Sequence, residues 1–218
     1  MNNLIIPALA VLTILQSYTP ANGKLVADET AKKIFNTTEL KGIDKMISFV
    51  DSIILDNTNA TDINQGYHAY FDKLKPYILE GKFYPSLVKD SIKFKFLETL
   101  DEEAFAAIWR LDENVGKVRY KDTILTDLHG FKWLELNYQA KYLIYLKEIG
   151  KSDNWYAELF KSIEIAGDIS PSFSTWFPMH HQEFDFTLFK NRLWAAVLLL
   201  RMGEPLEERV ERYLKEKK

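Results

Sequence analysis

The chain has 218 residues, of which 47% are hydrophobic and 27% are charged, so the composition excludes a chain that is disordered throughout. It contains no cysteine, which excludes disulfides, cysteine nucleophiles and cysteine-based zinc sites. The formal net charge is -3, and nucleic-acid binding depends on a basic surface, so we expect no generic binding to DNA or RNA.

The first 23 residues contain an apolar run from Leu4 to Leu15, interrupted only by Thr13. This run is too short to cross a bilayer, which takes about 20 residues, so we expect no transmembrane span. A buried first helix with Pro7 in its first turn is one interpretation, and it suits a cytoplasmic protein. The other is a signal-peptide core, for which about 7–15 apolar residues suffice, and which would make the protein exported. Residues 24–218 are expected to form a single helical domain.

Two amphipathic helices are predicted after a short helix over Ala27 to Phe35. Each carries apolar residues at helical spacing: Ile43, Met46, Ile47, Val50 and Ile54 in the first, and Ile63, Tyr67, Phe71, Leu74 and Ile78 in the second. Asp56 to Asp62 is expected to be a polar loop in which Thr61 caps the second helix. Pro76 should kink that helix or end it near Lys75, because proline lacks a backbone donor and restricts the residue before it.

The middle of the chain is predicted to be less regular. After a break over Gly81 to Pro85, the stretch from Ser86 to Leu100 favours a helix, although part of it also alternates as in a strand. Asp101 is expected to cap a helix that includes Trp109. Leu111 to Gly130 is the least helical stretch, and within it Val118 and Tyr120 alternate with Lys117, Arg119 and Lys121, which indicates an exposed turn or a short hairpin.

The next stretch is predicted to hold two helices and a short helical turn. Apolar residues from Leu134 to Ile149 indicate a long helix that stops at Gly150. Asp153 is expected to cap a second helix, which Gly167 closes. Phe173 to Phe177 is expected to form one helical turn.

A central helix is predicted over Leu193 to Leu200, which is apolar on all sides and is expected to be the most buried element. Its least accessible residues should be Trp194, Leu198 and Leu199. Gly203 should end this helix, and Pro205 should open a charged last helix. The predicted fold class is therefore all-α or predominantly α: an irregular multi-helix bundle with a short hairpin around residues 111–130.

One segment concentrates groups that can bind a ligand or a partner. Trp176 to Phe186 holds two histidines, two carboxylates and four large rings within eleven positions. Rings are enriched at interfaces, and segments that connect helices often carry binding groups. The expected contact residues are Trp176, Phe177, His180, His181, Glu183 and Asp185. The structural alternative is that the rings hold a connecting loop against the bundle, with Asp185 capping the helix that follows.

The same segment is a weak candidate for metal binding. His180 and His181 are adjacent, so on a helix their side chains would point about 100° apart. The H-E-x-x-H spacing and the Glu-x-x-His pair, which aim ligands at one point, are both absent. We therefore expect neither a metal nor another cofactor, and the sequence identifies no catalytic residues.

A non-enzymatic helical protein that binds another protein is the function we expect from these features, and inhibitory or immunity-type partners offer an analogy. Few histidines, no cysteine and no recognisable catalytic spacing favour this reading. Two alternatives stay open, because active sites are often assembled from dispersed residues. One is an enzyme with a composite site that includes His180, His181 and nearby carboxylates. The other is an exported helical domain with a different role.

Overall fold

A computed structural model describes residues 26–82, 85–112, 116–126 and 128–217. Residues 1–23, for which the sequence left a buried first helix and a signal peptide as alternatives, lie outside these described residues. Within them the chain forms ten α-helices and two small antiparallel sheets. The predicted class, a predominantly α multi-helix fold with a short hairpin, is confirmed.

The elements follow one another in a largely helical order that two pairs of strands interrupt at the middle. They are α1 (Glu29–Ile34), α2 (Thr37–Thr58), α3 (Ile63–Leu79), α4 (Asp90–Leu97), α5 (Glu102–Ala106), β1 (Trp109–Asp112), β2 (Val118–Tyr120), β3 (Thr123–Leu125), β4 (Trp133–Leu136), α6 (Lys141–Gly150), α7 (Asn154–Ala166), α8 (Pro171–Met179), a 3₁₀ turn (His181–Glu183), α9 (Phe189–Arg201) and α10 (Leu206–Glu216). None of these helices in the described part is long and apolar enough to cross a membrane.

Helix α2 is fixed at both ends by local chemistry. The Asn36 side chain accepts a hydrogen bond from the Glu39 backbone, and the Glu39 carboxylate accepts one from the Asn36 backbone, which forms a capping box. The helix continues to Thr58 and ends at Asn59 in the left-handed conformation, so the predicted polar loop starts later than expected. Asp62, rather than Thr61, then caps α3 through the Gln65 backbone N–H.

Pro76 neither ends α3 nor limits it to Lys75, because the helix extends to Leu79. The proline lies in the last turn and is exposed. It therefore removes one helical hydrogen bond at a surface where water can satisfy the freed carbonyl, and the cost is smaller there than in a buried helix interior.

Two predicted helices are shorter than expected, because their ends pair with each other as strands. Trp109 belongs to β1 rather than to helix α5, and the residues around Leu134 belong to β4 rather than to the long helix predicted up to Ile149. The two strands are antiparallel, with Trp109 opposite Leu136 and Leu111 opposite Leu134. Only the part from Lys141 onward is helical. Similarly, the predicted helix over residues 86–100 is confined to α4.

The hairpin predicted within residues 111–130 is formed by β2 and β3, where Val118 pairs with Leu125 and Tyr120 pairs with Thr123. One face of this region packs against α10. A small hydrophobic cluster joins the two, and its buried members are Val118, Leu128, Phe131 and Val210.

Helix α9 occupies the centre of the main core, as the sequence predicts. Every residue from Asn191 to Leu200 is buried, and Trp194, Leu198 and Leu199 are each at most 1% exposed. This helix packs against α2 and β4. Its end differs slightly from the prediction, because Met202 rather than Gly203 follows the last helical turn as its cap.

A buried polar group ties α9 to α2 and α3. Arg192 of α9 pairs with Asp51 of α2, and the Tyr67 hydroxyl of α3 donates to the same carboxylate at 2.9 Å. Burial raises the pKa of Asp51, against the opposing effect of Arg192. Such a pair fixes the relative position of three helices, and removing one partner leaves the other charge buried without compensation.

Candidate functional site

The segment from Trp176 to Phe186 includes the end of α8, the 3₁₀ turn and the start of the loop before α9. Pro171 begins α8 at a position where its missing N–H is harmless. His180 leaves the helix with φ -116° and ψ 20°, and the chain then tightens into the 3₁₀ turn. Its backbone is tied to α3, because the Asn64 side chain accepts a hydrogen bond from the Phe186 N–H at 2.7 Å.

The fold divides the six predicted contact residues into two groups. Phe177 and His181 are 0% exposed, so they do not reach the surface. Trp176 and His180 are partly buried, and Glu183 and Asp185 are exposed. The buried pair therefore anchors the segment from below, whereas the other four side chains reach solvent.

Phe177 is the apolar anchor. Its ring centroid lies 4.7 Å from that of Phe184, 5.2 Å from that of Phe71 and 5.8 Å from that of Trp194. The angles between these ring planes are all above 60°, which is the edge-to-face arrangement that the ring quadrupole favours. This contact joins the segment to α3 and to the central helix α9.

Trp176 and His180 form a stacked pair on the outer side of α8. Their ring centroids are 4.2 Å apart, with an angle of 11° between the planes. The Nδ1 of His180 also donates a hydrogen bond of 2.9 Å to the Trp176 carbonyl, which fixes the histidine ring one helical turn after the tryptophan. Both rings are thus held in place while part of each remains accessible.

His181 is the polar anchor, and it contacts two residues of α3. Its Nε2 lies 3.0 Å from a carboxylate oxygen of Asp72, and its Nδ1 lies 2.9 Å from the Nδ1 of His68. Asp72 pairs in turn with Lys75 at 2.9 Å. Asp72 and His68 are four residues apart on one helix, so both face the same side, and His181 is inserted against them.

The hydrogen-bond pattern assigns the tautomers of both histidines. The Asp72 carboxylate can only accept, so His181 carries a proton on Nε2 and presents an unprotonated Nδ1. His68 must then donate from its own Nδ1, which leaves its Nε2 as a proton acceptor. The result is a chain in which a carboxylate orients one neutral histidine and that histidine orients a second.

Both imidazoles are held neutral by their surroundings. Burial lowers the pKa of His181, and this effect exceeds the opposing effect of the hydrogen bond to Asp72. Burial also lowers the pKa of His68, although Asp72 and Asp185 act in the opposite direction. The hydrogen bond from Lys75 holds the pKa of Asp72 below its ordinary value, so this carboxylate is charged at neutral pH.

Asp185 does not cap α9, contrary to the expectation from the sequence. Helix α9 begins at Phe189, and Leu188 precedes it without a side-chain cap. The Asp185 carboxylate instead accepts bonds from the backbone and the hydroxyl of Thr187, at 2.8 and 2.7 Å. These bonds lower the pKa of Asp185 and hold a local turn ahead of the helix.

The outer face of the site carries more negative than positive charge. Glu183 and Asp185 are exposed, and the Asp72 side chain is 55% exposed. Lys75 partly offsets them, since it pairs with Asp72 and lies 3.4 Å from the Gln182 side-chain oxygen. We call the three carboxylates of Asp72, Glu183 and Asp185, together with the stacked Trp176 and His180 rings, the anchored face.

Sequence reasoning selected the 176–186 segment as a candidate but did not predict its contacts with α3. His68 and Asp72 stand at i and i+4, a spacing that places both on one face of a helix. This spacing is the feature of the sequence that could have indicated them, because a histidine and a carboxylate one turn apart on a helix can contact the same third side chain. Their contact with His181 spans more than a hundred residues and has no local signature.

Within the described ranges, no group of three or more histidine, aspartate or glutamate side chains is arranged so that it could hold a metal ion. Neither the sequence nor the fold matches a protein family model, a curated protein or a solved structure.

Proposed function

We propose that the protein is a non-enzymatic binding protein whose anchored face receives a basic segment of a partner protein. The observation that carries this proposal is the division of the six predicted contact residues into two buried anchors and four solvent-reaching side chains. Trp176 and His180 are held by their stacking, and Asp185 is held by its bonds to Thr187. Side chains that are already held in one conformation lose little entropy when a partner binds, so more of the contact energy contributes to affinity.

The chemistry of the partner follows from charge and ring geometry. Glu183, Asp185 and Asp72 present carboxylates to solvent, and complementary charge speeds association with a positively charged surface. The stacked Trp176 and His180 rings offer a flat face on which an arginine guanidinium can lie. An arginine-containing segment satisfies both features together.

Site-specific crosslinking in the native cell tests whether this face meets a protein. We would place a photoreactive benzoylphenylalanine at Glu183 of the full chain, and the same group at exposed Glu164 of α7 as the matched control. We expect a discrete crosslinked product from position 183 that is absent from position 164. Equal products at both positions, or none at position 183, would contradict the proposal.

Two variants then separate binding from support. Trp176→Ala removes a half-buried ring that packs against the edge of the core, and it should weaken binding to the crosslinked protein by about 1 kcal/mol or more. Phe177→Ala removes the buried anchor and should lower the unfolding temperature by more than Trp176→Ala does, because it leaves a cavity in the ring cluster. Binding that is unchanged in Trp176→Ala would remove the ring pair from the proposed interface.

A composite acid–base site is the second candidate, and the chain of Asp72, His181 and His68 favours it. A carboxylate that orients a histidine is a recurrent arrangement for general-base catalysis. Here the terminal base would be the Nε2 of His68, and the reaction class would be the removal of a proton from water or a hydroxyl group.

Hydrolysis of 4-nitrophenyl acetate provides the simplest test of this second candidate. An acid–base site should accelerate the reaction above an equal concentration of imidazole, and His68→Asn should abolish the acceleration. His129→Asn is the matched control, since His129 is exposed and lies outside the site. A rate that does not depend on His68 would exclude this candidate for the ester.

A further inference from the structure

A separate cavity of about 230 Å³ lies between α4, α10 and the loop that precedes β4. Its volume is below the range of about 300–1,000 Å³ typical of drug-sized ligands, so it suits a small molecule. Its walls combine rings with cationic side chains: Phe94, Phe131 and Tyr213 on one hand, and Lys132, Arg209 and Arg212 on the other.

Arg209, one of the three cationic residues that line the cavity, is held in place by several contacts. The Arg209 side chain is 9% exposed, and its guanidinium lies 4.2 Å from the Trp133 ring centroid. Its Nε pairs with Asp90 at 2.8 Å, and it also donates to the Lys132 carbonyl at 2.8 Å. A guanidinium fixed on three sides in this way is pre-organised rather than free to move to an incoming group.

Among the lining residues in the described part of the chain, three cationic side chains outnumber the one carboxylate, Glu216. Each cation also has a carboxylate partner outside the lining: Lys132 pairs with Glu98, Arg209 with Asp90 and Arg212 with Glu204, and Lys93 behind them also pairs with Asp90. Lys93 and Asp90 are almost completely buried. Burial lowers the pKa of both Lys93 and Arg209 in spite of the nearby Asp90. An anion in the adjoining cavity would oppose this effect at Arg209, because it would place a further negative charge beside the guanidinium.

We propose that the cavity binds the anionic group of a small organic acid, with Arg212, Arg209 and Lys132 supplying the positive field and the rings receiving an apolar body. Carboxylates and phosphate monoesters share this chemistry. Glu216 is the one carboxylate among the lining residues in the described part of the chain, and it opposes the anion. Removal of the Glu216 charge should therefore strengthen anion binding, which would not be expected if the charged residues had only a structural role.

Titration of the full chain followed by heteronuclear NMR tests the proposal. The probes are benzoate, phenyl phosphate and neutral benzyl alcohol, and the reporters are the amides of Gly130 and Tyr213. We expect at least one anion to shift these amides saturably, with benzyl alcohol at least about tenfold weaker, because a charged hydrogen bond typically contributes that factor or more. The comparison of benzoate with phenyl phosphate distinguishes a carboxylate ligand from a phosphate ligand.

Three variants decide whether the named side chains are responsible. Arg212→Gln and Lys132→Gln should each weaken anion binding, the former by about tenfold or more, whereas Glu216→Gln should strengthen it by about two- to fivefold. Lys161→Gln, which removes an exposed charge on α7, should leave the affinity unchanged. Lys132 and Glu216 are at the surface, so their variants remain informative if Arg212→Gln fails to fold.

Equal binding of benzyl alcohol and the anions would overturn the proposal, as would the absence of saturable shifts for both anions. Anion affinity that Lys132→Gln and Glu216→Gln leave at the wild-type value would overturn it as well.

Discussion

His181 and His68 make the stability of the folded chain sensitive to mild acid. In the folded state the pKa of each is lowered, whereas in the unfolded chain both return to an ordinary value of about 6.5. As the pH falls through about 6.5, the unfolded chain takes up protons that the folded chain does not. Stability should therefore be highest above this pH and should decrease toward the lowered folded-state pKa.

The variant His68→Asn isolates this effect, because the asparagine amide can donate to the Nδ1 of His181 from the same position but does not titrate. We expect the unfolding temperature of the wild type to drop more between pH 7.5 and 5.5 than that of the variant. The raised pKa of Asp51 acts in the opposite direction, but it is common to both proteins and cancels in the comparison. Identical pH profiles would mean that the histidine contact is not coupled to folding.

Residue type alone led to the choice of residues 176–186 as a candidate contact segment, but it did not predict which side chains of that segment are buried. The sequence treats Phe177 and His181 as contact residues together with Trp176 and His180, because all four are rings in one short segment. Which of them points inward depends on how α8 lies against α3. That is a property of tertiary packing, so it could not be predicted from spacing within residues 176–186.

Gly42 allows helices α2 and α5 to approach each other closely. A Cβ atom on Gly42 would lie 2.2 Å from the Cβ of Ala104, far inside van der Waals contact. Gly42→Ala should therefore force the helices apart and lower the free energy of unfolding by about 1–3 kcal/mol, as measured by urea denaturation. The cost should shrink in an Ala104→Gly background, where the clash is absent. Equal costs in both backgrounds would contradict this packing.

Helix α9 should tolerate truncation least, because it is buried on all sides. Leu198→Ala is expected to lower the free energy of unfolding by about 2–5 kcal/mol, the range for large-to-small changes in a core. Leu188→Ala, at a position that is 45% exposed just before the same helix, is the matched control and should cost less than about 1 kcal/mol. Similar losses for the two variants would place α9 nearer the surface than the structure does.

The helices that sequence predicts well are those whose apolar stripe decides their packing. Ile43 to Ile54 form such a stripe on α2, and the run from Leu193 to Leu200 has no polar face at all, so periodicity alone is sufficient. Leu134 is different, since its helical spacing with later residues is overridden by pairing with Leu111 of β1. Strand pairing over more than twenty residues is not encoded in local periodicity.

For the molecule as a whole, the anchored face and the small cavity lie on different sets of elements. The anchored face belongs to α3, α8 and the 3₁₀ turn, whereas the cavity belongs to α4, α10 and the loop before β4. The two proposals are therefore separable by mutation. Glu216→Gln should alter anion binding without changing crosslinking from position 183, and Trp176→Ala should have the reverse pattern.

The most direct test of the proposed function is the association rate constant of the crosslinked partner, measured by surface plasmon resonance at low and high salt. The double variant Glu183→Gln, Asp185→Asn removes charge from the anchored face but keeps the side-chain shape, and Glu164→Gln is the control on α7. The account predicts a slower association of the double variant at low salt and convergence with the wild type at high salt, because exposed charges act mainly on encounter. Association rates that match those of the wild type at every salt concentration would contradict the claim that this acidic face receives a basic partner.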